Sequence, residues 1–318
     1  MFVEIAAPDR ASTALAGRGR PGPARRIAGA APPYLYLVPA VVFLVVWTYR
    51  PFAQTVELSF YRWNLLPTSP MEPVGLDNYR QVLELPELRQ ALVNTAWYVL
   101  GLLPFSVLIP VLIALLAQNV RGRGQALYRA LIFVPTLVTP VATAAVWRWL
   151  LEPDGGPVTR ALEVFGIGPV NVFREPGPAM VAMIGICGWQ MIGFAVVVVT
   201  AGLSGINRDY ADAASLDGAT RAQITRRITL PLLSPSLVFL ALMTILLSAQ
   251  WTFPLIDTLT QGGPGGATTN VYYLLWQFGF RSFDAGYAAA AGTVFFVGFA
   301  VVAMFFVRLA DRLSFHDD

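Results

Sequence analysis

The sequence predicts an all-α membrane protein with six transmembrane helices. Of its 318 residues, 56% are hydrophobic and 13% charged, and the mean hydropathy of +0.58 is too high for a soluble globule. Six charge-poor runs are each long enough to cross roughly 30 Å of hydrocarbon, which takes about 20 helical residues. None of these runs alternates as barrel strands do, and only closed hydrogen-bonding elements survive in lipid.

Residues 1–30 carry Arg10, Arg18, Arg20, Arg25 and Arg26 among alanine, glycine and proline, and read as a loosely ordered cytoplasmic tail. Ile27–Tyr49 is free of charge and is followed by no small-residue cleavage site, so an uncleaved first helix is expected. The other spans are expected at Ala91–Gln118, Tyr128–Leu150, Pro178–Leu203, Leu232–Pro254 and Ala285–Val307. The transmembrane domain then covers residues 31–310, and 311–318 form a short C-terminal tail. The N-terminal tail, the Arg121/Arg123/Arg129 loop, the Arg208–Arg227 loop and the Arg308/Arg312 end hold 14 of the 22 arginines. Arginine marks the cytoplasmic side, so both termini and loop 204–231 are expected there, in a bacterial inner membrane.

All 22 basic residues are arginine. A phosphate-binding G-x-x-x-x-G-K-[ST] loop needs lysine, so energy from ATP has to come from a partner. The only histidine, His316, lies in the tail, and the only cysteine, Cys187, lies inside an apolar run. That pattern offers no nucleophile–histidine pair, no intrachain disulfide and no metal cluster, so no enzyme and no bound cofactor are expected. Nothing suggests a nucleic-acid partner.

One polar island, Asp212–Pro231, interrupts the apolar runs. Asn207 and Asp209 offer cap chemistry, and Tyr210, Ala213, Ala214 and Asp217 share one helical face. Gly218 permits a turn, after which Ile224 and Ile228 share a side of a second short helix ringed by Arg221, Arg226 and Arg227. Pro231 is expected in the first turn of the next span. On periodicity alone the better reading is an ordinary loop whose arginines fix topology.

Read as a string, Asp212-Ala213-Ala214, Asp217-Gly218-Ala219 and Ile228-x-Leu230-Pro231 resemble the cytoplasmic EAA loop of permease subunits in bacterial binding-protein-dependent ABC importers. Asp212 replaces the usual glutamate and Thr225 a frequent aromatic residue. Leu58–Leu66, Val74–Leu83 and Asn94-Thr95 resemble stretches of the carbohydrate-uptake members. The resemblance spans Tyr34 to Leu309 and implies a MetI-like six-helix fold. It also implies partners: a second homologous permease, a dimer of ATP-binding subunits holding ATP and magnesium, and an extracytoplasmic substrate-binding protein. Asp212, Ala213, Ala214, Ser215, Leu216, Asp217, Gly218 and Ala219 would dock on the ATP-binding subunit.

Polar groups inside apolar runs are the candidates for a solute path, because each must be satisfied or face a cavity. They are Trp189 and Gln190 in the fourth span and Ser248, Gln250, Trp251 and Thr252 in the fifth. Arg148, near an outer end, is a candidate contact for an anionic solute. Interhelical pairing, interfacial belts and snorkelling explain the same residues equally well. The run Thr252–Asp257, followed by Thr260, Gly262-Gly263-Pro264 and Ala267-Thr268-Thr269, looks like the permease of the sn-glycerol-3-phosphate importer. That likeness implies glycerol-3-phosphate or a glycerophosphodiester, with a di- or oligosaccharide as the alternative. A secondary transporter would need intramembrane ionisable groups, which the spans almost lack, and a non-transporting scaffold would leave Asp212–Ala219 dispensable.

Overall fold

A computed structural model of the chain describes residues 36–117, 123–166 and 171–313. The expected tail 1–30, the Arg121 turn and the last five residues lie outside that range. Among the described residues five helices are long and apolar enough to span a membrane, or six if the bent pair is counted as one span. In chain order, α1 is Tyr36–Leu58, and a two-strand hairpin (β1 Tyr61–Arg62, β2 Glu72–Pro73) precedes α2, Asp77–Glu84. Next come α3 Pro86–Ala117, the bent pair α4 Arg123–Leu137 and α5 Pro140–Leu150, α6 Pro157–Val164 and α7 Pro176–Gly205. The rest are α8 Asp209–Leu216, α9 Arg221–Ile224, α10 Ser234–Thr260, α11 Val271–Trp276 and α12 Ala285–Leu313.

Two of the expected spans need correction. The first helix was placed at Ile27–Tyr49, but the described helix runs on through Arg50 and Glu57 to Leu58. The third span is not one straight helix: its halves meet at 103°. Pro140 lacks an N–H and pushes Thr139 into an extended conformation, and Thr139 then caps α5 through Oγ1 to the Ala142 N–H.

The sub-structure from Thr55 onward is built on α3, α7 and α10. Leu88 and Ala91 of α3 join Val82, Ala249, Val271, Leu274 and Phe295 in one buried cluster. Tyr98 and Leu102 join Ala144, Met183, Ile186, Leu255 and Tyr273 in a second, and Val111 and Ala114 join Ala195, Val199 and Leu240 in a third. Glycines on α7 set the spacing. A Cβ at Gly188 would collide with the Phe105 ring, and one at Gly193 with Thr136 and the Ile132 carbonyl.

Three π turns, Val45–Tyr49, Pro104–Leu108 and Thr225–Thr229, each end two residues before a proline: Pro51, Pro110 and Pro231. A proline ring presses on the carbonyl four residues back, and widening the turn to an i→i+5 bond relieves that contact. The π turn carries α9 through Leu230–Leu232, so Pro231 lies inside this run. The first-turn proline of α10 is Pro235 instead.

The Gly262–Asn270 loop after α10 is held from α3. Asn94 Nδ2 donates to the carbonyls of Gly266 (2.9 Å) and Thr269 (2.8 Å), Tyr98 to Thr268 (3.0 Å) and Gln90 to Gly265 (3.1 Å). Thr95 Oγ1 accepts from the Val271 N–H at 3.1 Å. Removing a buried donor strands its acceptors, so Asn94→Ala is expected to destabilise the protein by about 3 kcal/mol, read by thermal unfolding in detergent.

Candidate solute cavity and coupling loop

Where the α4–α5 break, α7 and α10 converge with the π turn of α3, the helices border a half-open cavity of about 250 Å³. Its walls are Ser106, Thr136, Val138, Pro140, Cys187, Gln190, Met191, Phe194, Ala195, Leu240, Met243, Thr244 and Trp251. None of these residues is charged. Hydroxyls, one amide and an indole interrupt an otherwise apolar surface, the composition of a pocket that orients a neutral ligand. The hydroxyls of Thr244 and Ser106 meet at 2.8 Å and join α10 to α3.

Side-chain hydrogen bonds close the helix break, although the buried Thr143 hydroxyl just beyond it has no partner among the described residues. Gln190 Nε2 donates to the Val138 carbonyl at 2.6 Å, and Thr136 Oγ1 donates to the Gln190 carbonyl at 2.9 Å. In an unbroken helix the Val138 carbonyl would accept from the Ala142 N–H, which Thr139 has taken.

Of the sequence candidates, only Gln190 and Trp251 reach this cavity. Thr252 is fully buried on another face: its hydroxyl donates to the Ser248 carbonyl and accepts from Asn270 Nδ2, both at 2.8 Å. The buried Ser248 hydroxyl has no partner among the described residues. Gln250 is exposed, and Trp189 is 42% exposed, edge-on to Trp147 with centroids 6.0 Å apart. Arg148 is exposed as well and donates to the Thr258 carbonyl at 3.5 Å. The sequence reading passed over Ser106, Thr136 and Thr244, single hydroxyls in long apolar runs. The one local signal was Thr139-Pro140 beside Thr136.

The polar island lies at the end of α10 opposite the glycine-rich loop. Asn207 Oδ1 accepts from the Asp209 N–H at 3.1 Å just ahead of α8, whose N-cap residue, Arg208, makes no side-chain cap bond. The helix stops at Gly218, whose φ of +81° suits glycine. The N–H of Gly218 reaches the Ser215 carbonyl (3.1 Å) and that of Ala219 the Ala214 carbonyl (2.9 Å), the paired bonds of a Schellman cap. Thr220 and Gln223 then form a reciprocal capping box for α9. Tyr210, Asp212, Ala213, Ser215, Asp217 and Gly218 are exposed, and Leu216 is 90% exposed. Asp217, Gly218, Ala219, Gln223, Ile224, Arg227 and Ile228 line a cleft of about 260 Å³ beside that helix.

Residues 88–315 match the family described as "Binding-protein-dependent transport system inner membrane component". The chain belongs to this family. As a permease it is 30% identical over 82% of its length to the probable ABC transporter permease protein y4oQ of Sinorhizobium fredii, covering 84% of that protein. It is 30% identical to the trehalose/maltose transport system permease MalF of Thermococcus litoralis, covering 83% of this chain and 88% of that one. To the sn-glycerol-3-phosphate permease UgpA of Pectobacterium atrosepticum it is 28% identical, covering 87% and 94%. A bacterial ABC transporter involved in the import of the acidic polysaccharide alginate shares the fold. Its chain superposes with a TM-score of 0.78 at 23% identity, over 91% of this chain and 98% of that one. This permease is thus of the carbohydrate-uptake type, with UgpA-like proteins among several relatives, and the expected all-α MetI-like fold is borne out.

Close approach of α4 to α7 depends on Gly193. Gly193→Ala is expected to lower stability by about 1–3 kcal/mol through overpacking. Gly185→Ala, where an added Cβ meets nothing within 4 Å, serves as the matched control in the same thermal unfolding assay.

Proposed function

We propose that this permease forms half of the translocation path for a neutral di- or oligosaccharide. The observation that carries this reading is the uncharged wall of the cavity at the α4–α5 break. Ser106, Thr136, Gln190 and Thr244 offer hydroxyl and amide partners beside the Trp251 indole, a combination that suits sugar hydroxyls and ring faces. A phosphorylated solute would favour arginine forks, and this half of the path presents none at the cavity.

The second reading is sn-glycerol-3-phosphate or a glycerophosphodiester. It is favoured by the loop running from Thr252 to Thr269 and by the likeness to UgpA. Arg148 would be its first contact.

In either case the Asp212–Ala219 segment docks on an ATP-binding subunit that carries ATP and magnesium. Its exposed small face and Leu216 suit a groove, and the cap at Gly218 fixes the angle of presentation. A second, homologous permease completes the path and an extracytoplasmic binding protein delivers the solute. Both termini and the docking loop face the cytoplasm of a bacterial inner membrane. ATP-driven closure of the partner dimer tilts the helices, and access alternates between the two faces.

The test is ATPase activity of the co-purified complex in lipid, with binding protein loaded with maltose, glycerol-3-phosphate or glycerophosphocholine. Stimulation by maltose alone is expected, and stimulation by the phosphate esters alone would replace the first reading with the second. Proline requires φ near about −65°, so Gly218→Pro breaks the cap and should cut stimulation by roughly tenfold or more. Full stimulation in that variant would remove the docking role from this loop.

A further inference from the structure

Gln190 is doubly engaged. Its side chain closes the Val138 carbonyl left open by the α4–α5 break, its backbone carbonyl takes the Thr136 hydroxyl, and its side chain also lines the cavity. One amide therefore fastens the 103° bend to α7 and faces the space in which a solute would sit. Three residues on, Gly193 lets α4 approach closely enough for those bonds to form.

We propose that Gln190 is a positioning residue: a latch that holds the α4–α5 break closed against α7 and is released by a solute hydroxyl. A hydroxyl bound only by the second Nε2–H or by Oε1 leaves the latch closed, whereas one that displaces the Val138 carbonyl from its Gln190 Nε2–H takes that donor. The break then has to find another donor or move away from α7, because an unpaired carbonyl in an apolar setting is unfavourable. Solute arrival is thereby converted into freedom at the hinge of the third span. The solute-release half of this proposal rests on the transport reading above, whereas the latch itself rests only on the geometry at the break.

The experiment is hydrogen–deuterium exchange of the intact complex in nanodiscs, followed at the peptide covering residues 134–146, with a peptide from α12 as reference. Gln190→Met keeps the bulk and removes the donor, and it should raise exchange at the break about fivefold, the worth of one internal hydrogen bond. Thr136→Val should produce a smaller rise in the same direction, and it carries the test if the Met variant fails to assemble. Free maltose in large excess should raise exchange in the wild type and add nothing to Gln190→Met.

Exchange at the break unchanged in both variants would overturn the latch. A rise in the variants with no maltose response in the wild type would overturn its release by solute. So would a maltose increment that persists in Gln190→Met, because the amide would then be structural only. ATPase stimulation measured on the same samples separates these outcomes from failure of the transport reading.

Discussion

A carbonyl or N–H that leaves the helical ladder inside hydrocarbon has no water to turn to, so another part of the chain must receive it. Much of this permease follows from that constraint. At the glycine-rich loop the receiving groups come from α3, where Gln90, Asn94, Thr95 and Tyr98 meet loop groups some 170–176 positions away in sequence. At the α4–α5 break the receiving group is Gln190 of α7. In both places the irregular backbone lies where a neighbouring helix brings a suitable side chain.

The same constraint explains which parts of the molecule were legible from sequence. Helices α7, α10 and α12 begin and end within a few residues of their apolar runs, because length and hydropathy alone decide a span. The α8–α9 island was legible because its signals are local: Asn207 before the helix, Gly218 after it, and Thr220 with Gln223 at the next start. The break at Thr139 was hidden by the continuous apolarity on both sides, although the Thr-Pro pair was in view. Ser248 and Thr252 stand out in the sequence as polar groups in an apolar helix. The fold turns Thr252 to Asn270, a partner that no local pattern reveals, and buries the Ser248 hydroxyl without a partner among the described residues.

Polarity in a span therefore has two uses here. Thr252, Asn270 and Asn94 are consumed in fixing backbone, and their burial leaves them out of the cavity. Gln190 does both, because the backbone it fixes lies at the cavity wall. Small residues divide in a similar way: Gly193 is set by a neighbour's bulk, and Gly218 by its own φ.

Leu216 stands 90% exposed at the tip of α8, held out by a cap that gives it little room to fold back. A bare leucine on a rigid stalk is an adhesive surface until something covers it. Under the docking role proposed above, copies made in excess of an ATP-binding subunit would leave that surface uncovered and prone to self-association, so the proposed role favours making the subunits in matched amounts.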